Sequence, residues 1–193
     1  MLKTLTLLCC ALVSVQVGAI QATEGNENEQ MSVTEKFVNY VEQTLPENGY
    51  VDIKYEGFDV SKEAAFTLLH KKDGGLDPVR AIEIYENPPQ AFVYFRTYSE
   101  CKVSETILQK VITVNDQRIK TDYFCAETNL DSDSLGPTQE LYVPLSDAAK
   151  QFIAKELESN DFVFIRFEPN LIEVPFSTKG FKEVWEHVNK PAL

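Results

Sequence analysis

The sequence predicts an α+β fold: an antiparallel β meander with an N-terminal helix and two Ser-capped helices in the C-terminal half. Three observations carry this expectation. Between residues 79 and 125, four short runs rich in Val, Ile, Tyr, Phe and Thr alternate with turn residues, as antiparallel neighbours do. Val33, Phe37, Tyr40, Val41 and Leu45 recur at three and four, the spacing of one buried helix face. LYVPLSDAAKQFIAKEL (141–157) is answered by IEVPFSTKGFKEVWEHV (172–188), so that Val143, Pro144, Leu145 and Ser146 superpose on Val174, Pro175, Phe176 and Ser177. Each copy reads as a short strand, a proline that ends it, and a serine that opens a helix.

The 193 residues, 44% apolar and 25% charged, suffice for one domain with a hydrophobic core. The expected organisation is a secretory signal peptide over 1–22, a flexible acidic lead-in over 23–31 and a single domain over 32–193. Lys3 supplies a positive start, Leu5–Val17 an apolar run, and Val17-Gly18-Ala19 or Ala22 the small residues of a cleavage site. That run is too short for a membrane span, and Cys9 and Cys10 leave with it. The chain has 18 Lys+Arg and 30 Asp+Glu; loss of Lys3 takes the formal net charge from −12 to −13. Such a surface repels nucleic acid and anionic lipid and attracts cationic partners. No Asn-x-Ser/Thr acceptor occurs, in keeping with a bacterial envelope.

The elements follow in order. Ser32-x-x-Glu35 has capping-box spacing and opens the first helix, which Pro46, Asn48 and Gly49 end. Tyr50–Glu56 alternates apolar and charged residues as a half-buried strand. Residues 61–72 fit both a Ser61-capped helix and a strand, and the serine-led start favours the helix. The meander strands are Val79–Glu86, Ala91–Tyr98, Ile107–Val114 and Arg118–Cys125; Asn87-Pro88-Pro89-Gln90 and Asn115-Asp116-Gln117 form the tight turns. An acidic loop, 126–138, leads to strand Glu140–Leu145, helix Ser146–Ser159, strand Phe162–Glu168, turn Pro169-Asn170, strand Leu171–Phe176 and helix Thr178–Asn189. Both faces of Phe162–Phe167 are apolar, so that strand is expected to be covered on both sides.

Cys101 and Cys125 are the two cysteines left after processing, and in an oxidising compartment they are expected to pair. In a flat meander they would end strands two apart, ~9.5 Å from one another, whereas bridged Cα atoms lie within ~7 Å. Cys101 is therefore expected in a connection that curls over the sheet end. Neither CxxC spacing nor nearby histidine points to a metal or redox site instead.

No nucleophile elbow, glycine-rich phosphate loop or HExxH occurs, and the two histidines, His70 and His187, are far apart in the chain. Asn129, Asp131, Asp133 and Glu140 fall at calcium-loop positions 1, 3, 5 and 12. Ser134 stands where that loop needs glycine, so the stretch reads as a solvated acidic loop; no metal or cofactor is expected. The aromatic runs at Phe92–Tyr98 and Tyr123-Phe124 place rings on both faces of their strands, with Tyr94, Tyr98 and Tyr123 as a candidate interaction surface.

Val174, Pro175, Phe176, Ser177, Lys179, Gly180 and Phe181, with the preceding acidic helix and the FVFIRF strand, resemble the closing segment of the invasion-associated locus B family of secreted bacterial proteins. The resemblance covers 141–188, and residues 32–100 have no counterpart in it. It implies a β-rich secreted or envelope protein linked to host contact, and transfers no active site.

The function expected from sequence is a non-catalytic periplasmic or secreted binding protein, for a cationic protein or an envelope component. The alternative is a hydrolase-like envelope enzyme with a site built from scattered carboxylates.

Overall fold

The computed structural model describes residues 31–86, 91–128, 137–168 and 172–190. Among the described residues the chain is mostly antiparallel β-sheet, nine strands curled nearly into a barrel, with helices packed against it. The strands are β1 (Tyr50–Glu56), β2 (Ala64–Lys71), β3 (Arg80–Tyr85), β4 (Phe92–Thr97), β5 (Leu108–Val114), β6 (Gln117–Glu127), β7 (Thr138–Pro144), β8 (Phe162–Phe167) and β9 (Glu173–Ser177), in the spatial order β1-β2-β3-β4-β7-β6-β5-β8-β9. No helix among the described residues is long and apolar enough to cross a membrane.

The expected meander is interrupted. β7 inserts between β4 and β6, pairing Phe95 with Tyr142 on one side and Phe124 with Leu141 on the other. The Asn115-Asp116 turn forces adjacency on β5 and β6, because both residues take positive φ, 43° and 67°, in a two-residue hairpin. The longer connection from Tyr98 to Ile107 imposes no such constraint, and β5 moves outward to pair with β8.

Residues 64–71 are a strand and not the expected helix. Ala65, Thr67 and Leu69 are almost fully buried at period two, facing the core beside Ile82. Ser61 instead closes a surface turn, its N–H donating to Asp59 Oδ1 at 2.8 Å. In β1, a register shift between Tyr50 and Asp52 turns Val51 out to solvent.

Helix α1 (Val33–Asn39) begins with the expected capping box: Glu35 N–H donates to Ser32 Oγ at 3.2 Å, and Ser32 N–H to Glu35 Oε2 at 2.8 Å. It widens into a π turn over Tyr40–Thr44 before the single turn α2 (Leu45–Glu47). The wider turn puts Tyr40 and Leu45, five apart, both into the core. The helix lies against β8: Phe37 stacks on Phe162 at 4.0 Å, and Tyr40 meets Phe164 edge-on at 6.1 Å. On the other side of the same strand Phe167 meets Phe95 and Tyr142, so β8 is covered on both faces.

The repeated unit diverges in its second copy. Ser146 accepts from Ala149 N–H and opens helix α3 (Asp147–Ser159), which buries Ile153, Ala154 and Leu157. Ser177 opens no helix. It is the last residue of β9, and Pro175 sits inside that strand, tolerated because β9 is a sheet edge. Helix α4 (Phe181–Val188) starts only after Gly180, whose φ of +83° is left-handed. The delay has a packing cause. Phe58 N–H donates to Lys179 O at 2.7 Å, drawing the strand-end segments at 57–58 and 179–180 together, and a Cβ on Gly180 would collide with the Phe58 carbonyl.

Ser146→Ala should therefore cost ~1 kcal/mol. Gly180→Ala should cost at least ~2 kcal/mol, because it adds backbone strain to a steric clash. Denaturant melts of the two variants check the order, which reverses if Gly180 is only a loose linker.

Candidate functional site

Among the described residues, a cleft of about 520 Å³ lies between α3, α4 and the start of β4. One wall is a single face of α3, where Asp147, Gln151, Ala154 and Glu158 follow at helical spacing and Lys150 and Lys155 flank them. The other wall is Ala91, Phe92, Trp185 and Asn189. Asn189 fixes that wall: its Nδ2 donates to Trp185 O at 2.9 Å and its Oδ1 accepts Ala91 N–H at 3.3 Å, tying the end of α4 to the head of β4. Trp185 rests on the buried Phe181, with ring centroids 5.4 Å apart and planes 22° apart. Lys150 Nζ lies 5.0 Å from the Phe92 ring centroid and 3.6 Å from Asp147 Oδ1.

The cleft thus mixes the apolar surface of Phe92, Ala154 and Trp185 with long polar side chains, and its walls are polar and apolar in similar measure. No Ser, Thr, Cys, His or Tyr is among its lining residues.

The candidate tyrosines do not form one surface. Tyr94 and Tyr98 lie with Arg96 on the outer side of β4. Arg96 donates to Tyr94 Oη at 2.8 Å, pairs with Glu83 at 2.8 Å and bonds Gln139 Oε1 at 2.9 Å. Its guanidinium sits 5.7 Å from both tyrosine ring centroids. Tyr94 also donates a short hydrogen bond to Glu83, and its phenol is held well above its ordinary pKa, by burial first and then by that carboxylate. Tyr98 is buried.

Tyr123 points to the opposite side of the sheet, toward Tyr142 and Glu140. Strand register explains the split: successive strand residues face opposite ways, and Tyr123 shares its face with Tyr142, the partner of Phe95, not of Tyr94. Tyr123 donates to Glu140 Oε1 at 2.8 Å, Ser99 donates to Glu140 Oε2 at 3.0 Å, and Lys110 Nζ lies 3.5 Å from Glu140 and 3.3 Å from the Tyr123 ring centroid. Burial, with the Glu140 carboxylate beside it, pushes the Tyr123 phenol up to about 12.

Glu140 is therefore engaged by a phenol, a hydroxyl and an ammonium. Asn129, Asp131 and Asp133, the other calcium-loop positions, lie outside the described residues. Among the described residues no three His, Cys, Asp or Glu side chains are grouped to hold a metal ion.

The Cys101–Cys125 disulfide is formed, with the Cα atoms 6.0 Å apart. Cys101 lies in the connection between β4 and β5, where its N–H donates to Thr138 Oγ1 at 3.0 Å. The two-strand gap it crosses is real, but β7 lies in it and not β5.

Two outcomes are expected here. Replacing both cysteines by serine should lower stability by ~3 kcal/mol in the chain-entropy treatment of a loop of this length; a denaturant melt with an unchanged midpoint would contradict this. Tyr123 keeps its proton in the folded chain to about pH 12 against 10.0 unfolded. Its contribution to stability is thus whole below pH 10 and is lost as the pH rises toward 12. Phenolate absorbance should show Tyr123→Phe removing a late-titrating group, and the variant's stability should fall less steeply over that interval.

Compared with protein-family models, with curated proteins and with solved structures, the chain matches none.

Proposed function

We propose that this chain is a non-catalytic binding protein of the periplasm or the secreted space, and that the cleft between α3, α4 and β4 is its ligand site. The observation that carries this reading is the composition of the cleft: Phe92, Ala154 and Trp185 contribute apolar surface among Gln, Asn, Lys and acidic side chains. A site of this kind orients and holds a ligand. Its two carboxylates are Asp147 and Glu158, and Asp147 lies 3.6 Å from Lys150 as an exposed pair.

The location rests on the signal-like residues 1–22 and on the disulfide, a bond that persists in oxidising compartments. A secreted role is also what the resemblance of 141–188 to the invasion-associated locus B family implies. A formal net charge of −12 for the whole chain favours a cationic protein or envelope component as partner, attracted over about a Debye length.

Gln151 is exposed on the cleft wall of α3, so Gln151→Trp fills the cleft without entering the core. The wild-type protein should retain a partner from envelope extract in a salt-sensitive manner, and Gln151→Trp should lose it while melting like the parent. Equal retention by the two proteins would remove the cleft from consideration.

A further inference from the structure

The partners of β5 differ along its length. It pairs with β6 from Leu108 to Val114, but with β8 only from Ile112 to Val114. β8 ends at Phe167, opposite Ile112, and Glu168 is already in a turn. Among the described residues no strand pairs with Leu108–Val111 on that side. Besides its terminal strands, β1 and β9, the sheet therefore has a further edge, the free half of an inner strand.

Hydrogen bonds along β5 fix the direction of its peptide groups. Asn115 N–H donates to Phe164 O at 2.9 Å, so odd-numbered residues turn their backbone toward the side of β8. Thr121 of β6 donates its hydroxyl to Lys110 O at 3.1 Å, so even-numbered residues turn theirs toward β6. Gln109 and Val111 accordingly present their backbone to the open side.

The connection that precedes β5 leaves this edge uncovered. The Cys101–Cys125 disulfide and the 3.4 Å bond from Ser104 N–H to Cys125 O hold it toward β6, on the other side of β5 from the open edge. Residues 102–109 are all exposed, Ile107 at 63% and Leu108 at 52%. An open backbone edge beside exposed apolar side chains is a template for a further strand.

The length of the gap decides which strand fits. An incoming strand can pair with Gln109 and Val111 but must leave the ladder before Ile112, where Phe167 stands. β5 of a second copy meets this condition when it runs antiparallel about a two-fold axis at Gln109. Gln109 then faces Gln109, Ile107 faces Val111 twice, and the copy leaves the ladder where its own β5 begins, at Leu108. An axis at Val111 would run the copy into β8, and one at Ile107 would set Val111 against Val103, which lies in the connection and not in a strand. An axis between these positions would set outward against inward peptide groups. The two Ile107–Val111 pairs are apolar, and no like charges fall opposite one another.

We propose that the free half of β5 joins two copies of this chain into a symmetric dimer, through an antiparallel β5–β5 ladder centred on Gln109. The contact uses none of the residues that line the cleft between α3, α4 and β4. Few residues take part, so the association belongs to the weak, transient class.

Sedimentation equilibrium of the purified protein should show a reversible monomer–dimer equilibrium with a Kd on the order of 10–100 µM. Each copy carries a formal net charge of −12, so association should strengthen as salt is raised. Gln109→Lys sets two ammonium groups face to face at the axis. At an exposed position it should melt like the parent and associate about tenfold more weakly. Oxidised glutathione should link Gln109→Cys to itself through a disulfide between copies, and leave Ile107→Cys, two residues from the axis, unlinked. The proposal is overturned if the protein stays monomeric to about 1 mM, if salt weakens the dimer, if Gln109→Lys dimerises like the parent, or if the two cysteine variants link equally. Should Gln109→Lys melt below the parent, the comparison of the cysteine variants decides alone.

Discussion

The close approach of two backbone segments, residues 57–58 and 179–180, sets the curvature of the whole sheet. Phe58 N–H donates to Lys179 O at 2.7 Å, and a Cβ on Gly57 would lie 2.5 Å from that same oxygen. Glycine on both sides of the contact is what lets the backbones meet. Deeper in, Thr67 Oγ1 donates to Pro175 O at 2.8 Å in a buried position, so β2 and β9 are joined although six strands lie between them in the sheet order. With its ends drawn together the sheet encloses its own core, and α1 packs Phe37 against both Tyr55 of β1 and Phe162 of β8.

That curvature gives the two sides of the sheet different chemistry. On the inner side, Glu140 is served by Tyr123, Ser99 and Lys110, and Arg80 reaches Asp77 at 2.5 Å with both side chains largely buried. Such pairs are costly to break singly, because a lone charge would be left in a poorly solvated place. They belong to the architecture. On the outer side Tyr85 is exposed, and Phe92 and Trp185 are half-buried in the cleft walls.

The candidate site was only partly legible in the sequence. The aromatic richness of residues 92–98 was visible, and Phe92 of that stretch lines the cleft. Tyr94 and Tyr98 share a face, but grouping them with Tyr123 failed, because which face a strand residue presents depends on register with a partner strand that alternation alone does not name. The cleft itself was missed. Its signal was present in the i, i+4, i+7, i+11 spacing of Asp147, Gln151, Ala154 and Glu158, but a mixed polar face of a helix looks the same whether it meets bulk water or a second wall. Trp185 and Phe92, far apart in the chain, become that wall only through Asn189.

The sequence by itself determined the local events: the Ser32–Glu35 capping box, the Asn115-Asp116 hairpin, the Ser146 cap, the double burial of the Phe162–Phe167 strand and the pairing of Cys101 with Cys125. Each follows from side-chain chemistry within a few residues, or, for the disulfide, from the small number of cysteines in the chain. Tertiary structure decided what depends on distant backbone. It made a strand of 64–71, because burial of Ala65, Thr67 and Leu69 on one face outweighed the serine-led helix start. It placed β7 between β4 and β6, because the long connection from Tyr98 left β5 free to move. It also broke the symmetry of the repeated unit: the sequence makes Ser146 and Ser177 equivalent, but only the second must bring its chain past Phe58, and there a left-handed glycine opens the helix in place of a serine.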